Sequence, residues 1–426
     1  MNVMQLKNVA LDVIVRFSDQ AIVSGGNFVL GLLAARFLGP AHFGTFAITW
    51  SVWVFFLGVQ WASIIAPMQS DHFAIGFPRQ ESMFGSLLFQ SLVLGLFCGV
   101  VTLIFSWSLS VITLTLPVCS GIIIASLLIV LQDFIRRWFL FTERPRMAIF
   151  CDTIRYSAPI GVILLATSKK EFVAVDYLFL MGGAAFISCC LSLQDFKSMQ
   201  VVWKNIQLYL RRYLRQGSWL LLLVVLQFSI ANAPIYALAA MDTTATAGGY
   251  RVALYLMTPV IVLTEALETF LPLRASQAVK RGGTSALMQI MWRWCLPIFL
   301  FCSVFVGTVF LFKSELLVLA FGLEYQIYAP ILLPLALAML FQIVNYFINV
   351  SLRVCSASSY IFYGELLAAG CLVLMYIAMP LGKVGLGAAY FALGSQLIKF
   401  VFLTIRMTFI LKKTYPNGSF SHDETV

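Results

Sequence analysis

Charged and amide side chains recur at helical spacing inside stretches that are otherwise apolar, and these are the residues with chemistry to offer. At 100° per residue, Arg16, Gln20 and Asn27 fall within roughly 40° of one another, with Asp19 beside them. Asp152, Arg155, Tyr156 and Pro159 cluster in the same way. Arg251, Tyr255, Thr258, Glu265 and Thr269 form one stripe, and Gln342, Asn345, Asn349 and Arg353 another. Gln396, Lys399 and Arg406 share a late segment. A mid-membrane Arg, Lys or Asp costs about 2.5–3.5 kcal/mol on insertion scales, so such groups face a cavity or one another. Guanidinium and ammonium groups in a cavity suit an anion, held by charge-assisted hydrogen bonds. On this reading the candidate cavity residues are Arg16, Asn27, Arg36, Arg155, Arg251, Asn345, Asn349 and Lys399.

A buried carboxylate suits a proton or a metal cation, and Glu265 and Glu365 are the ion-coupling candidates. Glu265 shares its stripe with Arg251, but fourteen residues of helix separate them by about 21 Å, so they are not expected to neutralise each other. Two plainer explanations compete. Arg16, Arg353 and Arg406 lie near span ends, where snorkelling to the interface serves equally well. A lone Asn or Gln is also explained by hydrogen bonding between helices.

The elements that must position these residues are long apolar runs. With 61% apolar and 11% charged side chains over 426 residues and a mean hydropathy of +0.93, the chain falls far from soluble composition, which is nearer a quarter charged. A span needs about 20 mainly apolar residues. Such runs lie near 14–38, 43–66, 84–106, 109–132, 148–168, 173–193, 215–240, 249–271, 291–312, 328–352, 360–380 and 384–411. The expected fold is therefore an all-α polytopic membrane protein of about twelve transmembrane helices. The tryptophans Trp50, Trp53, Trp107, Trp138 and Trp219 are expected to be mostly lipid-facing or interfacial.

Positive charge falls in every second gap: Arg79, then Arg136, Arg137, Arg144 and Arg146, then the run from Lys197 to Arg215. Arg274, Lys280, Arg281, Arg293 and Arg353 continue it, and Lys7, Lys412 and Lys413 lie at the termini. The alternate gaps hold only Arg36, Lys169, Lys170, Lys313 and Lys383. This is the positive-inside pattern, so both termini are expected in the cytoplasm. The net charge of +10 then reports topology and contact with anionic membrane lipids, and a nucleic-acid partner is not expected. The opening segment, broken by Asp12, Arg16 and Asp19, does not read as a cleavable signal peptide.

Motifs for easily recognised chemistry are missing. The Gly382–Lys383 pair is followed by Val384, so no phosphate-binding loop is formed, and HExxH, paired CxxC and GxSxG do not occur. Nine cysteines sit almost all within spans, without metal-ligand spacing, and read as small buried hydrophobes. Neither an enzyme nor a cofactor or metal centre is expected.

The two halves look alike. Gly44 opens a span ending at Pro67, and Gly248 opens one ending at Pro272. The basic gap near 194–214 falls at the midpoint. Two six-helix lobes are expected, 1–200 and 201–426, related as parallel repeats about a central cavity.

The run AARFLGPAHFGTFAITWS at 34–51 resembles the first inter-helix turn of polysaccharide-export flippases, with Arg36, Leu38, Gly39, Pro40, Phe43 and Gly44 filling the shared pattern. Those flippases, Wzx-like, belong to the multidrug/oligosaccharidyl-lipid/polysaccharide exporter superfamily. GGYRVALYLMTPVIVLTEALETFLP at 248–272, the stretch 321–358 with Gly322, Tyr325 and Pro330, and GLGAAYFALGSQ at 385–396 are similar to family patterns. The resemblance implies an exporter in the bacterial inner (plasma) membrane. Its substrate would be an undecaprenyl-pyrophosphate-linked oligosaccharide for O-antigen in lipopolysaccharide, capsule or exopolysaccharide. It also implies coupling to H+ or Na+, with polysaccharide polymerase and chain-length proteins as partners. Of the candidates, only Arg36 sits in the shared motif. The alternatives are a drug or small-molecule antiporter of the same superfamily and, further off, a polysaccharide polymerase or ligase.

Overall fold

Hydrocarbon offers the backbone no hydrogen-bond partners, so a chain of apolar runs this long must satisfy its amides internally, as helices. The computed structural model describes residues 3–70, 80–110, 112–113, 115–166, 172–193, 203–268, 271–355, 357–378 and 384–414, and among these there is no strand. Its helices are α1 Val3–Gln60, α2 Ala66–Ser70, α3 Gln80–Ser108, α4 Leu116–Phe141, α5 Pro145–Ala166, α6 Ala174–Leu193 and α7 Trp203–Met241. They continue with α8 Thr244–Leu256, α9 Thr258–Glu268, α10 Leu271–Leu311, α11 Lys313–Phe321, α12 Ala329–Val354, α13 Ser359–Ala378 and α14 Val384–Thr414.

Among the described residues each of the twelve expected stretches falls mainly on helix, the fourth beginning at Leu116 rather than near 109. Among the described residues nine helices are long and apolar enough to cross a membrane, and α8 with α9, bent by 52°, makes a tenth. α1 continues as an apolar helix beyond its break at Gly39, and α13 is a further apolar helix of 20 residues. α1 is two helices joined at Gly39, whose φ of 69° with ψ of 168° is a conformation that side chains bearing a Cβ avoid. Pro40 follows and cannot donate to the preceding turn. The chain is a multi-pass membrane protein.

Two helices differ from expectation at their ends. α4 runs to Phe141 rather than stopping near 132, because its Asp and Arg residues are paired in the interior. α7 begins at Trp203, a dozen residues before the expected span. Ile206, Tyr209 and Tyr213, one or two turns apart, are buried and give this extension a packed face. Tyr209 and Tyr213 join a core with Met68, Phe84, Phe134 and Trp138. Trp50, Trp53 and Trp138 are also buried, while Trp107 and Trp219 are exposed. Three of the five tryptophans thus fill the interior, where Trp50 meets Trp53 edge-on at 5.9 Å and Trp138 packs on Phe84 at 4.9 Å.

The described chain divides into two compact units, Met1–Phe228 with Thr243–Gly248, and Ser229–Asp242 with Gly249–Val426. In the first, α3 packs on α4, α4 on α6 and α6 on α5. In the second, α10 packs on α12, α12 on α14 and α14 on α13, the same order of neighbours. Within the first unit, Gly44 and Gly248 close on each other. A Cβ on Gly44 would lie 1.8 Å from the Thr244 carbonyl oxygen, and one on Gly248 would lie 2.2 Å from that of Pro40. Only glycine permits so close an approach of two backbones.

Candidate functional site

Each unit carries a buried polar cluster on the corresponding helices. In the first, Gln132, Asp133, Arg136 and Arg137 occupy two turns of α4, and Asp152, Arg155 and Tyr156 lie around the third turn of α5. Gln132, Asp133, Arg136, Asp152 and Arg155 are all buried, Asp152 completely. Arg136 Nε donates to Asp152 Oδ2. Gln132 Nε2 lies 3.4 Å from the other oxygen of Asp152, and Arg137 Nε donates to Asp133 at 2.6 Å. Arg155 does something different: its Nη1 donates to the amide oxygen of Gln132 at 2.6 Å, and its guanidinium lies 5.5 Å from the Tyr156 ring centroid.

Among the described residues this cluster sets three arginines against two aspartates, and the hydrogen bond of Arg155 goes to an amide. Burial of a guanidinium is expensive unless hydrogen bonds hold it, and here an amide and an aromatic face support Arg155. Gly26 of α1 makes room for this arrangement, since a Cβ there would stand 2.4 Å from Tyr156 Cγ.

In the second unit Lys399 of α14 donates to Glu365 of α13, and both are buried. Asn345 Nδ2 of α12 donates to Gln396 Oε1 at 3.0 Å and to the Gln396 carbonyl at 3.1 Å. The side-chain oxygens of Asn345 and Asn349 are buried and, among the described residues, receive no donor. Arg353 binds Glu268 of α9 through both amino groups, the longer contact being 3.0 Å, at a half-exposed edge.

The two clusters sit on hairpins of one design. The turn between α4 and α5 and the turn between α12 and α13 make the same backbone bonds 213 positions apart. Thr142 N reaches Trp138 O at 2.9 Å and Cys355 N reaches Ser351 O at 3.0 Å. Arg144 N to Phe139 O and Ala357 N to Leu352 O follow at 2.8 and 2.9 Å, and Met147 N to Arg144 O and Tyr360 N to Ala357 O at 3.1 and 3.2 Å. In this register Gln132 corresponds to Asn345 and Asp152 to Glu365. A buried amide and a buried carboxylate thus recur in both halves, but the carboxylate takes its cation from α4 in one and from α14 in the other.

The sequence candidates distribute as follows. Arg155, Asn345, Lys399 and Glu365 are buried in the clusters, and Asn349 and Arg251 are half-buried. Arg251 lies 5.4 Å from the Tyr255 ring centroid. Asn27 is half-buried beside Gly26, while Arg36 and Glu265 are exposed on their helices. The Arg16 side chain lies outside the described residues. Sequence reading missed Gln132, Asp133, Arg136 and Arg137; the signal was present in the Asp133–Arg137 spacing and in the apolar WFLF that follows the arginines. Among the described residues no group of three metal-ligating side chains forms.

A scan against protein-family models gives no match, and neither does a search of the curated proteins. Solved structures do match. An inward-facing multidrug resistance MATE transporter of the MOP superfamily aligns over 94% of this chain and 99% of its own, with a TM-score of 0.65 and 12% identity. The lipid II flippase MurJ, in an inward closed conformation, aligns over 94% of this chain and 87% of its own, with a TM-score of 0.70 and 11% identity. A MOP superfamily transporter from Pyrococcus furiosus follows at 0.58 and 12%, over 93% and 94%. This is the MOP transporter fold. At such identities the likeness speaks for the fold, and the residues of the two clusters must carry any statement about cargo.

Proposed function

We propose that the chain is a flippase that carries undecaprenyl-pyrophosphate-linked oligosaccharide across the bacterial inner membrane, from the cytoplasmic to the outer leaflet. The observation that supports this reading is the buried guanidinium of Arg155 in the first unit, whose hydrogen bond goes to the Gln132 amide and which lies beside the Tyr156 ring. A pyrophosphate cannot cross roughly 30 Å of hydrocarbon unaided. A pre-formed guanidinium replaces part of its lost hydration with paired charge-assisted bonds. Arg251 and Arg36 are assigned to reception of the headgroup farther along its path. The Lys399–Glu365 pair is assigned to coupling: a proton or Na+ competing for Glu365 would release Lys399 for the substrate. Glu265 is the second coupling candidate. Lobes 1–200 and 201–426 are the moving parts, and a polymerase and chain-length proteins receive the product.

A drug antiporter is the second reading, favoured by the MATE structures that share the fold. The Pyrococcus furiosus transporter is described as having a reversed pocket polarity that suggests a different function. Sign of charge is therefore the property on which to separate the readings, and among the described residues of the first cluster arginines outnumber aspartates three to two. The test is a deletion strain complemented with wild type or Arg155→Ala. The flippase reading expects lipid-linked oligosaccharide to accumulate facing the cytoplasm in the deletion and in the variant. Normal glycan export with a change in drug resistance would transfer the case to the antiporter.

A further inference from the structure

α7 is 39 residues long, about 58 Å at 1.5 Å per residue, nearly twice the roughly 30 Å hydrocarbon thickness. Its uncharged part runs from Trp219 to Met241, so the segment 203–216 must lie outside the hydrocarbon. That segment is firmly seated. Ile206, Tyr209 and Tyr213 are buried, Gln90 of α3 donates to the Ile206 carbonyl at 3.2 Å, and Asn205 donates to Ser82.

The opposite face is of another kind. Leu208, Arg211, Arg212, Arg215 and Gln216 follow the spacing of a single helical stripe and line an open cavity of about 550 Å³. All three arginines are exposed, and no acidic residue occurs between Lys197 and Asp242. Apolar side chains stand exposed among them: Leu208 at 61%, Leu210 at 43% and Leu214 at 43%, with Trp219 at 61% beyond. Leucines alternating with arginines are misplaced in water and suited to the boundary of acyl chains and headgroups. With Trp219 marking the edge of the hydrocarbon, Arg215 stands about 6 Å farther out and Arg211 about 12 Å. A headgroup layer is on the order of 5–8 Å deep, within reach of a long arginine side chain that can snorkel.

We infer that Arg211, Arg212 and Arg215 form a binding site for the phosphodiester headgroups of anionic phospholipids, with Leu208, Leu210 and Leu214 against the acyl chains. The site lies on α7 apart from both buried clusters and holds whatever the transported cargo is. It anchors the basic end of α7 on one leaflet, so the unit packed against it is fixed in depth.

The experiment uses the purified full-length protein in neutral detergent, with bound phosphatidylglycerol and phosphatidylcholine counted by native mass spectrometry. Wild type is expected to retain phosphatidylglycerol over phosphatidylcholine, with binding that weakens as salt rises. The triple variant Arg211→Gln, Arg212→Gln, Arg215→Gln is expected to lose roughly a hundredfold in affinity for phosphatidylglycerol. A control, Arg144→Gln with Arg146→Gln on the exposed α4–α5 turn, is expected to keep it. The triple Arg→Lys variant retains charge, guards against a folding defect and is expected to bind within several-fold of wild type. Equal retention of both lipids by wild type, or unchanged phosphatidylglycerol binding in the triple Gln variant, overturns the inference. Displacement of phosphatidylglycerol from the wild type by millimolar inorganic pyrophosphate also overturns it, assigning the arginines to a soluble or substrate phosphate instead.

Discussion

Neutralising Asp152 tests how the first cluster is built. Asp152 is fully buried, accepts from Arg136 and stands near the Gln132 amide. Asp152→Asn takes a carboxylate from beside the Arg136 guanidinium and raises the formal charge of the cluster by one; Arg136→Gln takes that guanidinium from beside Asp152 and lowers it by one. In a soluble interior, removing one partner of a buried pair costs about 3–5 kcal/mol. Coupling between membrane helices averages nearer 0.6 and reaches about 1.7 kcal/mol, because the unfolded chain in the membrane also finds partners. The expectation for each single variant is therefore a loss of about 2 kcal/mol. The double variant, which returns the cluster to its wild-type net charge, should recover about 1–2 kcal/mol of the summed loss. A denaturant titration of the purified protein gives both numbers. Transport should follow charge rather than stability alone, so the double variant should flip substrate better than either single. Single effects under ~0.5 kcal/mol that simply add in the double would refute the network as described.

Three further outcomes follow from the geometry. Gly44→Ala places a Cβ 1.8 Å from the Thr244 carbonyl oxygen; backbone cannot yield cheaply there, so the variant should fail to accumulate in membranes, as an immunoblot would show. Lys399→Gln leaves Glu365 buried without its cation and should lower thermal stability and transport, whereas the exchanged pair Lys399→Glu with Glu365→Lys should regain part of both; an exchange no better than the single variant would argue against the pairing. Fluorescent-protein fusions at either terminus should fluoresce while alkaline phosphatase fusions at the same places stay inactive, the reverse of which would invert the topology read from the arginine gaps.

The helices were legible because each span announces itself as an apolar run of the length a bilayer demands, and the Gly39–Pro40 break because that pair ends a helix in any setting. Stripes within one helix were legible too: Asp152, Arg155 and Tyr156 share a face by spacing alone. Pairings across helices were not. Periodicity places Lys399 and Glu365 each on its own helix and gives no hint that they meet. Arg136 and Arg137 read as a loop because the apolar run fades at Gln132, although the helix continues with both arginines paired to Asp152 and Asp133. Trp50, Trp53 and Trp138 depart from the lipid-facing expectation for a similar reason, since composition cannot say which aromatic ring finds another to pack on. The repeat was faint because the hairpins share backbone turns and only Gln132 with Asn345 and Asp152 with Glu365 among their polar side chains.

In the proposed function one buried arginine, Arg155, acts on a phosphorylated lipid headgroup, and reconstituted vesicles measure that most directly. Wild type, Arg155→Lys and Arg155→Gln are compared for the rate at which a fluorescent pyrophosphate-linked oligosaccharide lipid moves between leaflets. The prediction is rapid movement by wild type, a partial rate for Arg155→Lys, which keeps the charge but loses the planar fork, and a rate near that of protein-free vesicles for Arg155→Gln. Equal rates for all three proteins would contradict it.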